Sequence, residues 1–205
     1  MAELRKKQKA ERQRRILAAA RQRFKAADYR NVKIETIAAD ADLSAMTVFN
    51  YYGSKGGLLL ALVTESDRHL IKKINAILER DSDDAISVVT DFSLTIFDHA
   101  FSYLNRHTWC HVLATSIKEG NSSFGRGLAV LEHQLIDLLA RLIDQLKQRK
   151  LIDAGCDART AAAVIYNVHN ARFIEYASNR NITREEVGAI VKNDLEFILE
   201  RMAQA

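Results

Sequence analysis

The chain has 205 residues, of which 48% are hydrophobic, and a formal net charge of +4. No run of about 18 apolar residues occurs, which argues against a transmembrane helix, and the charged N-terminus lacks the apolar core of a signal peptide. The two cysteines, Cys110 and Cys156, do not make a disulfide framework, so we predict a protein of the reducing cytoplasm. Proline is absent and glycine is scarce, which predicts an all-α fold.

Apolar residues recur every three or four positions along almost the whole chain, which predicts helices and no strand. Ser44 is positioned to cap the third helix through its hydroxyl, and Thr183 with Glu186 forms a capping box that opens the last helix. The predicted helices span 9–27, 34–41, 45–51, 55–79, 84–104, 106–118, 125–150, 157–179 and 184–203.

Two of these helices, 34–41 and 45–51, are too short to be stable alone and are joined by a tight turn at 42–44. Such helices persist when they pack at a steep angle over a small core, as in a helix-turn-helix motif. The second helix of that motif enters the major groove of DNA, and here Val48 would point inward. The residues expected to face outward are Ala45, Met46, Thr47, Phe49, Asn50 and Tyr51.

The chemistry of these side chains suits DNA. Asn50 is the candidate for base readout, because an Asn amide can pair with the N6 and N7 edge of adenine. The hydroxyls of Thr47 and Tyr51 suit phosphate oxygens, although Thr47 could instead bond back to its own helix. Lys55 begins the next helix, so we expect its ammonium to face a phosphate.

The positive charge is concentrated at one end of the chain. Residues 1–56 contain thirteen Lys and Arg against six Asp and Glu, a net of +7, whereas residues 57–205 carry a net of −3. This asymmetry indicates a polyanionic partner for the N-terminal part. Residues 5–15, including Arg12, form either an arm along the DNA backbone or minor groove, or a solvated terminus.

A set of residues between about positions 10 and 60 matches a known pattern in both type and spacing. These positions are Phe24, Ile37-Ala38, Ala41, Leu43-Ser44, Thr47-Val48-Phe49, Tyr51-Tyr52, Ser54-Lys55 and Leu58. In these residues the chain resembles the tetracycline-repressor (TetR) family of transcriptional regulators. The resemblance implies nine helices, a homodimer, and a repressor that a small ligand releases from DNA.

The chain departs from the family pattern at several positions. Asp28 and Asp42 stand where the family prefers glycine, and we expect a left-handed backbone at both, which Asp tolerates. Lys33 stands where a Ser or Thr usually caps the first helix of the motif. Phe49 replaces a tyrosine, so apolar packing on a thymine methyl would replace a phosphate contact.

The C-terminal helices carry polar and aromatic residues among apolar ones, a mixture suited to an apolar cavity with a few polar anchors. We expect an unidentified small-molecule effector between helices 84–104 and 157–179. The alternatives are ordinary core for each aromatic residue and, for the chain, a ligand-independent architectural DNA-binding protein. The predicted ligand-binding residues are Phe92, Ile96, Tyr103, Trp109, Tyr166, His169, Asn170 and Phe173.

These expectations define two domains. Residues 1–54 form a three-helix DNA-binding domain with the helix-turn-helix motif, and residues 55–205 form a helical ligand-binding and dimerisation domain. Helices 157–179 and 184–203 can make a four-helix interface in a homodimer. A two-fold dimer places its reading helices about 34–36 Å apart and binds a palindromic operator in double-stranded DNA.

His107, Cys110 and His111 share one helical face, a spacing that could hold zinc. No sequence feature supplies a fourth ligand, and core or pocket-wall roles are commoner, so we predict no metal. A His/Cys pair could also act in nucleophilic catalysis, but no third group that would orient it is identifiable. We therefore predict no enzyme activity and no cofactor.

Overall fold

The computed structural model describes residues 2–203, and within that range it contains helices and no strand. The all-α prediction is confirmed, and the observed helices match the predicted ones closely, except that α1 begins at Ala2 and a 3₁₀ turn at Tyr29–Asn31 was not predicted. No helix in this range has the length and apolar character needed to cross a membrane. The α-helices are α1 (Ala2–Ala26), α2 (Ile34–Asp40), α3 (Ala45–Tyr52), α4 (Lys55–Leu78), α5 (Ala85–Tyr103), α6 (Arg106–Lys118), α7 (Ser123–Gln148), α8 (Ala158–Ser178) and α9 (Arg184–Ala203).

The described chain divides into two compact units. Unit 1 runs to Ser66 and includes Ser102–Leu128, and unit 2 comprises Asp67–Phe101 and the chain from Ala129 onward. Helices α4, α5 and α7 each contribute to both units. The functional boundary at residue 54 is drawn on different grounds and stays a prediction.

The core of unit 1 is built on α1, whose Ile16, Ala20 and Phe24 are fully buried. Helix α6 is fastened to the end of α1, because the buried Thr108 hydroxyl donates to the Phe24 carbonyl oxygen at 2.8 Å. Asn105 caps α6 by accepting from the Thr108 N–H at 2.8 Å, and its amide donates to the carbonyl of residue 25. Satisfying these polar groups inside the unit fixes where α6 begins.

In unit 2, helix α8 packs along α9, and the ion pair between Arg172 and Asp194 joins them with Nε 2.7 Å from Oδ2. The capping box that opens α9 is confirmed. The Glu186 N–H donates to the Thr183 hydroxyl at 3.1 Å, and the Thr183 N–H donates to the Glu186 carboxylate at 2.7 Å. Hydrogen bonding from the Thr183 N–H, and from its hydroxyl, to the carboxylate holds the pKa of Glu186 below its usual value.

Candidate functional site

Helix α3 presents a mostly exposed face. The predicted cap is confirmed, since Ser44 Oγ accepts from the Thr47 N–H at 3.2 Å. The exposed fraction is 67% for Met46 and 43% for Phe49, and Asn50 is also exposed, whereas Val48 is buried as predicted. The remaining residues predicted to face outward are half-buried, and these are Ala45, Thr47 and Tyr51. The Thr47 hydroxyl lies 2.9 Å from the Ser44 hydroxyl, so it also belongs to the cap.

The turn between α2 and α3 is held by Arg15 of α1. Asp42 has a φ of 52°, so the expected left-handed backbone is confirmed there. The Arg15 guanidinium donates to the Ala41 carbonyl and to the Asp42 carboxylate, the latter at 3.0 Å. A side chain from α1 therefore satisfies the carbonyls exposed at the end of a very short helix.

The same expectation is wrong for Asp28. Its φ of −61° and ψ of 136° are extended backbone. Asp28 instead caps the 3₁₀ turn, because its carboxylate accepts from the Arg30 N–H at 2.9 Å. Hydrogen bonds from Arg30 lower the pKa of this carboxyl to about 2. The residue fits an extended capping position, where Asp is favoured for its side-chain oxygen.

The Lys55 side chain lies against the backbone of the 3₁₀ turn. Its Nζ donates to the Tyr29 carbonyl at 2.8 Å and to the Val32 carbonyl at 3.0 Å, and it lies 4.3 Å from the centroid of the Tyr29 ring. Burial among these groups lowers the pKa of the ammonium. Lys55 therefore ties the start of α4 to the 3₁₀ turn, and contact of its ammonium with a phosphate stays a prediction.

Two glycines shape the turn between α3 and α4. Gly53 has a φ of 71°, which L side chains rarely adopt. Gly57 packs directly against the backbone of Tyr52, so a Cβ at this position would collide with the Tyr52 carbonyl oxygen. Its N–H donates to the Ser54 hydroxyl at 2.9 Å, so Ser54 caps α4.

The basic residues 5–15 form the early turns of α1. Arg14 pairs with Glu11, with Nη2 2.6 Å from Oε1, and Arg15 is used in the turn described above. Arg12 is exposed, and no ion pair of Arg12 is found within residues 2–203. Contact of this helical segment with DNA stays a prediction.

His107, Cys110 and His111 do not meet in one cluster. The His111 ring stacks on Tyr29 with centroids 3.7 Å apart, and its burial lowers the pKa. His107 Nδ1 lies 3.9 Å from Asp28 Oδ2, while Cys110 is half-buried. Among the described residues, no group of three His, Cys, Asp or Glu side chains is placed to hold a metal ion.

A cavity of about 620 Å³ in unit 1 was not predicted from the sequence. It lies at the turn before α4 and the loop after α6, regions that are far apart in the chain. No single-helix pattern could therefore have revealed it. Its polar lining includes Tyr52, Ser54, His111, Thr115, Glu119 and Ser122.

The predicted ligand-binding residues fall into both units. Tyr103 and Trp109 belong to unit 1, and the other six belong to unit 2. The Tyr103 hydroxyl donates to Glu65 Oε2 at 3.0 Å, and Arg21 lies 4.1 Å from its ring centroid. Burial and the Glu65 charge raise the pKa of Tyr103 to about 12. That these eight residues line one cavity stays a prediction.

In unit 2 an aromatic cluster forms between α5 and α8. The Phe97 ring lies 4.9 Å from His169 and 5.5 Å from Phe173, and Phe101 stacks on Phe173 at 4.7 Å. His169 is only 4% exposed, and its Nδ1 has no hydrogen-bond partner. Burial lowers the pKa of this imidazole to about 3, so His169 is neutral at physiological pH. The sequence analysis missed Phe97 and Phe101 as part of this group.

Two acidic residues of unit 2, Asp67 on α4 and Glu132 on α7, were also missed. Each is partly buried. Burial raises the pKa of Asp67 to about 6 and raises that of Glu132. Their charges act on Tyr166 of α8, whose pKa burial has already raised. The sequence did contain a signal, because both carboxylates lie on the apolar stripe of an amphipathic helix.

One protein family matches the N-terminal part of the chain. Residues 16–62, from α1 into α4, match the family model of bacterial regulatory proteins of the tetR family. No curated protein matches the chain.

Solved structures share its fold over nearly the whole length. A TetR-family transcriptional regulator from Pectobacterium atrosepticum is 19% identical with a TM-score of 0.73, and the match covers 94% of each chain. FadR from Bacillus subtilis in complex with stearoyl-CoA is 17% identical with a TM-score of 0.71, covering 90% of this chain and 96% of that one. Salmonella enterica GusR is 18% identical with a TM-score of 0.67, covering 92% and 95%. Residues 16–62, which include the helix-turn-helix segment, thus resemble bacterial regulatory proteins of the tetR family, and the chain shares the fold of these solved structures.

Proposed function

We propose that this protein is a sequence-specific transcriptional repressor that a small-molecule ligand releases from a palindromic operator. The observation that supports the proposal is the exposed face of α3. This helix follows a turn whose polar groups are hydrogen-bonded. Arg15 and Ser44 fix the turn before α3 through side-chain hydrogen bonds, and Gly57 allows close backbone packing in the turn after it. A helix held this way can enter a major groove with little loss of conformational entropy.

The side chains on that face can read bases. Asn50 is exposed and can pair with an adenine edge, while Met46 and Phe49 offer apolar surface to thymine methyl groups. Arg12 and the neighbouring basic residues of α1 add sequence-independent attraction for phosphates. Since Lys55 is engaged with backbone carbonyls, we assign it a positioning role next to the reading helix.

Dimerisation through α8 and α9 would create the two-fold symmetry that a palindrome requires. Both helices carry large apolar side chains on the surface of the monomer. The exposed fractions are 48% for Val164, 41% for Ile174 and 59% for Phe197. Covering such residues in a four-helix interface stabilises a dimer by removing apolar surface from water.

Helix α4 supplies a physical connection between the two functions. It begins at the turn after α3 and continues into unit 2, where we place the ligand. A ligand that favours one arrangement of α4 would change the spacing of the two reading helices. Ligand and operator would then each lower the affinity for the other. FadR, which has the same fold, is seen in complex with stearoyl-CoA, and this supports a ligand-binding role for a protein of this fold.

The DNA-binding proposal is tested by measuring affinity for an operator selected from random duplexes, with single-base variants of each half-site. Asn50→Ala should relax the preference at one position per half-site, at a cost of about 1–3 kcal/mol. Arg12→Ala should weaken all sequences alike. If both substitutions produced the same uniform loss, Asn50 would not be a base reader.

The dimer is tested by light scattering of the purified protein. Phe197→Glu should yield monomers and abolish tight operator binding, because it places a charge in the proposed interface. Val130→Glu is the matched control, since Val130 is 56% exposed on α7, away from α8 and α9 in the sequence. A Phe197→Glu protein that remained dimeric would contradict this interface.

The alternative, a ligand-independent architectural role, would appear as operator binding that no small molecule releases.

A further inference from the structure

The cavity of about 620 Å³ described above lies wholly inside unit 1, because every residue that lines it belongs to that unit. The turn between α3 and α4 contributes Gly53, Ser54, Gly56 and Gly57, and other residues come from α6, the loop after it and the start of α7. None of the eight residues predicted to bind the effector lines this cavity. Its volume falls within the range of about 300–1,000 Å³ that is typical of small-molecule sites.

Three hydroxyl groups of the lining have a proton to donate and no acceptor for it within residues 2–203. The Ser54 hydroxyl accepts from the Gly57 N–H at 2.9 Å, and the Ser122 hydroxyl accepts from the Gly125 N–H at 3.2 Å, so each keeps its own proton. The Tyr52 hydroxyl is buried and has no hydrogen-bond partner in the same range. Since a buried hydroxyl is stabilised by a hydrogen bond, a ligand oxygen would supply what the protein leaves open.

The rest of the lining combines hydrogen-bond acceptors with apolar surface. The Glu119 carboxylate can only accept hydrogen bonds when it is ionised. The Thr115 hydroxyl lies 3.4 Å from His111 Nε2, and both groups can donate or accept. Leu60 and Phe124 supply apolar side chains. This combination suits a molecule that has several hydroxyl groups and an apolar part.

The charges around the cavity favour a neutral ligand. Burial and the charge of Lys55 lower the pKa of His111, so its imidazole is neutral at pH 7.5. Glu119 is then the one charged side chain among the described residues of the lining, and it repels an anion. The Lys55 ammonium lies 4.3 Å from the ring centroid of Tyr29, which also lines the cavity, and it repels a cation.

We propose that this cavity binds a neutral glycoside with an apolar aglycone. The sugar oxygens accept hydrogen bonds from Tyr52, Ser54 and Ser122, one sugar hydroxyl donates to Glu119, and the aglycone packs on Phe124. Such a ligand contacts the turn that follows the reading helix and therefore restricts the motion of that turn. The site is separate from the effector site proposed for unit 2, and binding to it requires no DNA.

Phenyl glycosides that differ in charge test the class of ligand. Phenyl glucoside, galactoside and mannoside would each be titrated into the full-length protein at pH 7.5, with binding followed by calorimetry. The same titrations would use analogues that carry a carboxylate at C6 or an ammonium at C2 of the sugar. At least one neutral glycoside should bind, and its charged analogues should bind about tenfold more weakly, because Glu119 repels the carboxylate and Lys55 repels the ammonium.

Loss of one hydroxyl assigns the binding to the cavity. Tyr52→Phe removes the unpartnered hydroxyl and keeps the ring, so it should weaken binding of the neutral glycoside about fivefold without lowering the melting temperature. Tyr51→Phe is the matched control, because Tyr51 is half-buried on the same helix and does not line the cavity. This control should bind the glycoside with the affinity of the wild type.

A larger side chain at Gly56 should block the site. A Cβ at Gly56 would lie 3.7 Å from the Ser54 hydroxyl and 4.0 Å from the Tyr29 hydroxyl, which are ordinary contacts, so the fold can accept a side chain there. Gly56→Leu should weaken glycoside binding by more than about tenfold while the protein stays folded. Gly120→Leu is the matched control, since Gly120 lies outside this cavity and its Cβ would meet the Ser116 carbonyl at 3.5 Å.

Two results would overturn the proposal directly. One is the absence of binding by all three neutral glycosides, and the other is a charged analogue that binds as tightly as its neutral parent. A Gly56→Leu or Tyr52→Phe protein with wild-type affinity would also overturn it, because the glycoside would then occupy a different site. No operator DNA enters these measurements, so a failure to select an operator would count against the repressor function alone.

Discussion

The two units differ in their partly buried charged groups. In unit 1 several charged side chains around the helix-turn-helix are paired, as Arg23 is with Asp40 at 2.7 Å between Nη2 and Oδ1. In unit 2 Asp67, Glu132 and His169 are buried or partly buried without partners. Unit 1 does have one exception, since the Tyr52 hydroxyl is buried without a partner. Satisfied polar groups make a surface rigid, whereas unsatisfied ones leave binding capacity for a ligand.

The largest expected effect is in the turn of unit 1. Gly57→Ala should destabilise the protein by about 3 kcal/mol or more, because the new methyl group meets the Tyr52 carbonyl, which belongs to the backbone and cannot move aside. Chemical denaturation measures this loss. Gly56→Ala is the matched control in the same helix turn, since its Cβ would lie 3.7 Å from the Ser54 hydroxyl. It should be neutral or stabilise by up to about 1 kcal/mol. Similar losses in both variants would remove the steric explanation.

The next effect concerns the buried charge of unit 2. Asp67→Asn should stabilise the ligand-free protein by about 2 kcal/mol above pH 6, because the folded state no longer buries an ionised carboxylate. The folded-state pKa of about 6 lies above the ordinary value of 3.8. The native protein therefore loses stability as the pH rises from about 4 to 6, and the benefit of the substitution disappears below that window.

Thermal or denaturant unfolding across pH 3.5–8 would show this dependence. Asp83→Asn removes an exposed carboxylate from the same unit and should show no such trend. An Asp67→Asn protein that was less stable than wild type at pH 7.5 would mean that the carboxylate has a stabilising partner.

A smaller effect on stability should distinguish a basic side chain of unit 1 that stabilises the fold from one that binds phosphate. Lys55→Met should destabilise the protein by about 1–2 kcal/mol, since the Tyr29 and Val32 carbonyls lose their donor. The salt dependence of operator binding should not change. Arg12→Ala should do the reverse, with unchanged stability and a salt slope lower by about 1. A lower salt slope for Lys55→Met would restore the original expectation that this ammonium contacts a phosphate.

The smallest effects compare the caps of the two units. Ser44→Ala and Thr183→Ala each remove a side-chain cap of a helix N-terminus, so each should cost about 1 kcal/mol of stability. Operator affinity should fall for Ser44→Ala alone, because only its cap belongs to the proposed reading helix. A matching loss in the Thr183→Ala protein would indicate that operator affinity follows overall stability.

Features that depend on neighbouring residues could be predicted from the sequence. Helix positions follow from apolar spacing, and the caps at Ser44 and Thr183 follow from hydroxyls placed three residues before a free N–H. The left-handed backbone at Asp42 also belongs to this group, because a tight turn between two short helices requires it. The helix-turn-helix segment was predictable for the same reason, since its residues lie within one short stretch of chain.

Features that depend on distant residues were decided by the tertiary structure. Lys55 finds its carbonyl partners more than twenty residues earlier in the chain, so its position at a helix start could not reveal them. Asp28 resembles Asp42 in sequence context, yet the 3₁₀ turn that follows it demands an extended backbone. Asp67 of α4 and Glu132 of α7 both act on the pKa of Tyr166 of α8, and a one-helix pattern cannot show such an effect between helices. Periodicity identifies which side of a helix is buried, whereas only packing determines what that side meets.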